Sequence, residues 1–190
     1  MAMKQSIRTK YLSYRNSLTT AERTQKSGVI WDKLKKEPIY LEAQAILVYM
    51  DYRSEVITTG LVEEILRSGN RRVFAPKVEG MNIRFYEITS LSELQEGYQG
   101  IREPVGEKEK LFTKEMAEGM RSLVLVPGSV FDRERRRMGY GKGFYDRFLA
   151  AFPDISTIAL GFDCQIAPKV PWEEHDQRVD LIVTEKEVIR

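Results

Sequence analysis

The chain has 190 residues, 42% of them hydrophobic and 31% charged, with a formal net charge of +2. Such a chain suits one soluble domain burying roughly 70% of its unfolded surface, and the small net charge argues against a broad basic face for nucleic acid. A single cysteine, Cys164, and a single histidine, His175, exclude an internal disulfide and leave little material for a zinc site or a Ser-His-Asp machine.

Residues 3–17 set Ile7, Tyr11, Leu12 and Tyr14 among charges, the pattern of an amphipathic helix. Lys4 and Arg8, four apart, share one face of it, and by themselves they read as a solvated pair. This end of the chain is charged early and lacks an apolar signal core. The run from Ala45 to Met50 is far short of a membrane span, so a cytoplasmic setting is expected. Thr19-Thr20-Ala21-Glu22 has the form of a capping box. The helix it opens should reach about Lys36, with Val29, Ile30 and Leu34 inward and Pro38 closing it.

Ile46 to Met50 reads as a buried strand, followed by a loop, a helical pattern (Leu61, Val62, Ile65, Leu66) stopped by Gly69, and a strand from Arg72 to Ala75. That order is a βαβ unit, and open α/β sheets place ligands where the chain leaves the first strand. Glu55 lies in that loop. Its carboxylate can accept two parallel hydrogen bonds from an amidine-like edge, or it can be an acid favoured by the helix start. Ile83 to Ile88 alternates like a half-exposed strand, with Arg84 and Tyr86 outward. A short helix is expected near Leu91 to Gln95.

Leu123 to Val126 is a second buried strand, ended by Pro127-Gly128. Beyond it, between Arg121 and Arg147, stand seven basic and three acidic residues, together with Gly139, Gly141 and Gly143 before a helix expected from Phe144 to Phe152. Glycines let backbone N–H groups approach an anion, and a helix N-terminus adds free donors and a positive dipole end. The spacing matches neither a P-loop nor a Rossmann fingerprint, and on spacing alone a glycine-rich loop with a solvated basic face fits equally well. Strands are expected at Thr157 to Phe162 and Val179 to Val183.

Val126-Pro127-Gly128 with Phe131-Asp132, then Arg137 and Gly139-Tyr140-Gly141-Lys142-Gly143-Phe144-Tyr145-Asp146-Arg147, resembles the signature of the 5-formyltetrahydrofolate cyclo-ligase family. The closing His175-Asp176 and Val179-Asp180 with Thr184-Glu185 resemble the family's last block, and the likeness extends over nearly the whole chain. It departs from the family pattern where Arg135 replaces a turn glycine and Met138 a leucine. The arginine suggests a loop that turns differently or is mobile.

The resemblance implies a three-layer α/β/α fold with a mostly parallel sheet, like the sugar-phosphate isomerase and CoA-transferase architecture, in one domain over residues 1–190. It implies ATP-dependent cyclisation of 5-formyltetrahydrofolate (folinate) to 5,10-methenyltetrahydrofolate, with ADP and phosphate released through a phosphorylated formyl group. Phosphoryl transfer asks mainly for alignment and charge stabilisation, which suits Lys, Arg, Gly and Asp. By the same resemblance Arg137 and Lys142 would act on the transferring phosphate. Lys4, Arg8, Gly139, Gly141, Gly143 and Tyr145 would complete the ATP site. Met50, Glu55, Tyr140 and Phe144, with Gly141, Lys142 and Gly143, would contact folate. Asp146 and Asp180 would orient Mg2+, with Asp176 chemically as apt as Asp180.

Two rivals remain on sequence: a phosphate-handling isomerase or CoA transferase of similar sheet order, and remotely an RNA-binding module. The latter fails because Asp146 stands where the RNA-binding string needs an apolar strand residue. A monomer or weak homodimer that binds neither nucleic acid nor membrane is expected.

Overall fold

Apolar strands too short to be helices must pair, and here they pair in the centre of the molecule. The computed structural model describes residues 2–173 and 176–190, so His175 lies outside the described residues. Three helices come first: α1 (Ala2–Asn16), α2 (Thr20–Leu34) and α3 (Pro38–Glu42). Next come β1 (Ala45–Leu47), α4 (Thr59–Ser68), and the long hairpin of β2 (Arg72–Glu79) and β3 (Asn82–Ile88). A small hairpin, β4 (Leu94–Glu96) and β5 (Arg102–Pro104), precedes α5 (Lys114–Gly119) and β6 (Ser122–Val126). The chain then forms β7 (Val130–Asp132), β8 (Arg137–Met138), α6 (Phe144–Ala151), β9 (Ser156–Leu160), β10 (Ile166–Ala167), β11 (Leu181–Val183) and β12 (Val188–Ile189).

Among the described residues the main sheet has seven strands in the order β12-β11-β9-β6-β1-β2-β3. The five inner strands run parallel, and β12 and β3 are antiparallel edges. Alternate residues of the buried strands feed two cores. Ile46, Leu123 and Leu125 face Ile30, Leu34, Leu61 and Ile65 of α2 and α4. Leu47, Val124 and Val126 face Phe148 and Leu149 of α6 on the opposite side. The fold is therefore a three-layer α/β/α sandwich.

The capping box of α2 is present, with Thr19 accepting from the Glu22 N–H and Glu22 reaching back to the Thr19 N–H. Val29, expected inward, is instead exposed, because the buried stripe of α2 runs through Ser27, Ile30 and Leu34. Pro38 opens α3 as its first residue rather than merely ending α2. Tyr86 is buried, not outward, because residue 111 bridges to it and Glu79 accepts from its hydroxyl at 2.6 Å.

The segment after Gly128, read in sequence as a loop, folds into the β7–β8 hairpin, with β10 pairing beside β7. Its turn depends on Asp132, whose Oδ1 accepts from the Glu134 and Arg136 N–H groups and whose Oδ2 accepts from the Val170 N–H. Arg135 takes φ 62°, the left-handed conformation a glycine would adopt freely. The turn closes with an arginine in a glycine's place, held by its backbone contact to Val179.

Candidate functional site

The C-terminal ends of β1 and β6 lie side by side where their crossovers part. The chain leaves β1 for α4 on one face and reaches α6 from β6 on the other, so the two loops diverge and open a crevice. A cavity of about 1140 Å³ fills it. Helix α1 closes one side with the stripe Lys4, Arg8, Leu12 and Arg15, whose spacing keeps these side chains on one face.

One wall carries Met50 and Glu55, both buried, on the loop that leaves β1. The Tyr52 N–H donates to Glu55 Oε2 at 2.9 Å, and the Tyr140 hydroxyl donates to Oε1. Burial pushes the Glu55 carboxyl above the usual range, against the pull of Arg15, Tyr140 and the Tyr52 N–H. Tyr140 is 43% exposed as a residue, and its hydroxyl accepts from Arg15 Nη1 at 2.7 Å. Burial, and then Glu55, hold the phenols of Tyr140 and Tyr145 far above their ordinary pKa, so both are proton donors at neutral pH.

The other wall is the glycine turn. Gly141 (φ 94°) and Gly143 (φ 66°) occupy the left-handed region, which explains two of the three glycines. Gly143 is also the N-cap of α6, so the helix begins at the cavity with no side chain covering its first N–H groups. Arg8 Nε donates to the Gly139 carbonyl at 2.9 Å and pins the turn to α1.

Arg137 is buried, donates from Nη2 to Asp146 Oδ1 at 2.7 Å, and lies 5.7 Å from the Tyr145 ring centre. Its Nε is buried with no hydrogen-bond partner among the described residues. The Nε of the neighbouring Arg136 is likewise buried without a partner among the described residues, and Arg137 lines the cavity. Lys142 is exposed at the rim. Lys4 stands 3.0 Å from both Glu173 and Asp176, and despite partial burial these acids hold its pKa above the usual value.

The cavity thus gathers Lys4, Arg8, Met50, Glu55, Arg137 and residues 139–146. Asp180 is the exception. It precedes β11, at the N-terminal end of the parallel strands and so away from the cavity at their C-terminal ends, and its Oδ2 accepts from the Thr157 N–H at 2.7 Å and hydroxyl at 3.0 Å. It is a turn acid tying β9 to β11, whereas Asp176 does line the cavity. Among the described residues no cluster of three His, Cys, Asp or Glu stands ready for a metal.

Sequence reasoning passed over Arg15. It is 2% exposed, and its guanidinium donates to the Ser54 hydroxyl, the Gly128 carbonyl and Tyr140. The signal was the i, i+4, i+11 recurrence of Lys4, Arg8 and Arg15 on one helix face. Tyr98 was also left aside. It meets Phe144 edge-on at 5.9 Å and narrows the cavity mouth.

The 5-formyltetrahydrofolate cyclo-ligase family model matches residues 1–185. The mouse 5-formyltetrahydrofolate cyclo-ligase is 26% identical over 96% of this chain and 93% of its own length. The Escherichia coli K12 protein of that name is 29% identical, covering 92% of this chain and 96% of its own. The NMR structure of Aquifex aeolicus 5,10-methenyltetrahydrofolate synthetase superposes with a TM-score of 0.84 at 32% identity, over 99% of this chain and 92% of that one.

Proposed function

Because the chain belongs to the 5-formyltetrahydrofolate cyclo-ligase family, we propose that its cavity joins ATP to 5-formyltetrahydrofolate and closes the folate's one-carbon ring. One observation carries this reading. A single cavity at the switch point holds an acid suited to a pterin edge on one wall and an anion cradle on the other.

Glu55 would accept hydrogen bonds from the pterin 2-amino group and the adjacent ring N–H, with Met50 supplying soft apolar contact. Tyr140 and Phe144, which line the same cavity, would sit between the nucleotide and the folate. The triphosphate would lie along Lys4, Arg8 and the turn at Gly139, Gly141 and Gly143, beside Tyr145, with its terminal phosphate toward Arg137 and Lys142. The formyl oxygen on N5 attacks the γ-phosphorus and ADP leaves. N10 then attacks the activated carbon and loses its proton, and the C–O bond breaks to release phosphate. The products are 5,10-methenyltetrahydrofolate, ADP and phosphate. Arg137, which lines the cavity, would stabilise charge on the transferring group, and Lys142 would swing in from the rim.

Magnesium typically takes one or two carboxylates plus substrate phosphates. Asp146 and Asp176, which line the cavity and now pair with Arg137 and Lys4, would be the carboxylates to hold it, whereas Asp180 does not line the cavity. The ion would neutralise negative charge on the phosphates during transfer. A cytoplasmic setting and a monomeric or weakly dimeric state belong to the same proposal. Among the described residues no helix is long and apolar enough to cross a membrane.

The test is direct. Folinate added to protein and ATP should trigger stoichiometric ADP release together with the near-ultraviolet absorbance of the methenyl product. An isomerase or transferase on this scaffold would release no ADP, and that result would end the proposal.

A further inference from the structure

Arg15 is the least expected feature of the cavity. A buried guanidinium is costly unless its donors are used. Three donations from Arg15 reach three separate segments: Ser54 on the loop after β1 at 2.9 Å, Gly128 after β6 at 3.3 Å, and the Tyr140 hydroxyl at 2.7 Å. The Tyr140 hydroxyl in turn donates to Glu55 Oε1, and the Arg15 guanidinium also stands 5.6 Å from the Tyr140 ring centre. Arginine, hydroxyl and carboxylate thus form one chain from α1 across the cavity floor.

We propose that Arg15 is a positioning residue for folate recognition, acting through Tyr140 to hold the Glu55 carboxylate aimed and ionised for the pterin. This rests on the reading of Glu55 as the pterin acceptor. The groups facing Glu55 are Arg15 from α1, Tyr140 from the glycine turn, Tyr145 from α6, and Asp51 and Tyr49 from its own segment. Burial and Asp51 favour the neutral acid, while the phenols of Tyr49 and Tyr145 stay protonated. Arg15 is the cation in this group that favours the carboxylate. A neutral Glu55 would meet the pterin N–H donors with a proton of its own and lose one of its two acceptors. On the nucleotide side, Lys4, Arg8 and Arg137 hydrogen-bond to Asp176, the Gly139 carbonyl and Asp146, so the side chains proposed to hold phosphate are anchored by other partners than Arg15 and Glu55.

The experiment compares wild type with Arg15→Met, Arg15→Lys and Tyr140→Phe. Folinate binding is measured without nucleotide across acidic to neutral pH, and ATP binding is measured separately. Arg15→Met should weaken folinate about tenfold at neutral pH, roughly the effect of losing one charged hydrogen bond. It should also move the acid limb of folinate binding to higher pH and leave ATP affinity within about twofold. Retained ATP binding also shows that the variant is folded. Arg15→Lys, which keeps the charge, should restore the acid limb toward wild type without recovering all the affinity. Tyr140→Phe, which keeps the ring and cuts the link, should shift the limb in the same direction as Arg15→Met. Equal losses for folinate and ATP, or an unmoved limb in both Arg15→Met and Tyr140→Phe, would overturn the inference. Wild type that binds ATP but no folinate would sink the folate reading and this inference with it, which separates the two failures.

Discussion

Replacing Asp146 with asparagine should destabilise the ligand-free protein more than replacing Arg137 with methionine, although Arg137 is nearer the proposed chemistry. The asymmetry follows from burial. The Arg137 side chain is 2% exposed and that of Asp146 22%. Deleting one partner of a buried ion pair costs about 3–5 kcal/mol when the survivor stays buried and charged. In Asp146→Asn the survivor is Arg137, already short of a partner at Nε. The asparagine oxygen keeps one hydrogen bond, so the loss should fall to about 2–3 kcal/mol. In Arg137→Met the survivor is Asp146, partly solvated and in the first turn of α6, where the helix dipole favours a negative charge. Methionine fills most of the vacated space, and the cost should be about 0–1 kcal/mol. Urea titrations at neutral pH without ligands, with matching m-values, measure both losses. Activity should invert the order: Arg137→Met should lose at least about a hundredfold in turnover while still binding folinate. Equal stability losses, or a larger one for Arg137→Met, would refute the reasoning.

Lys142→Ala should leave stability unchanged, because the side chain is exposed, and lower kcat about tenfold or more; unaltered turnover in steady-state assays would remove Lys142 from the phosphate's path. For Glu55, whose folded pKa is raised, the stabilising contribution is complete below the ordinary glutamate pKa and is lost as pH climbs through the raised value. Glu55→Gln should therefore gain on wild type in denaturation midpoint from about pH 4 to pH 7 while folinate binding falls, and a constant gap would contradict the assignment. Gly143→Ala forces a side chain into φ 66° with its Cβ 2.8 Å from Arg147 Nη1, and should cost about 1–2 kcal/mol together with ATP affinity in calorimetric titrations. Arg135→Gly relieves the left-handed arginine and should raise stability by about 0.5–1 kcal/mol after the loss of its 3.2 Å bond to the Asp180 carbonyl, with activity unchanged; a drop in melting temperature would show that bond to be worth more than the strain.

Local patterns carried much of the architecture. The apolar run at 123–126, the helix before Gly69 and the capping box at Thr19 each announced an element by its own period or its own end chemistry, and the run at 46–50 did so in part, since β1 stops at Leu47. The βαβ order at 46–75 implied a loop where a ligand could lie, while the glycine spacing alone left an anion site and a solvated loop equally open. Those features depend on residues close together in the chain.

What the sequence could not supply were contacts between distant residues. Asp180 and Asp176 are four positions apart and chemically alike. Only the pairing of β9 with β11 commits Asp180 to Thr157 and leaves Asp176 at the cavity. Tyr86 alternates like an outward residue, yet a distant bridge at Leu111 helps to cover it. Arg15 looks like one more charge on an amphipathic helix, because its burial arises from Ser54, Gly128 and Tyr140, lying 39, 113 and 125 residues away. The sequence by itself determined the elements, since periodicity and end chemistry are local. Only the tertiary structure decided which charges face the cavity and which are spent in turns, because burial depends on everything that packs around a side chain.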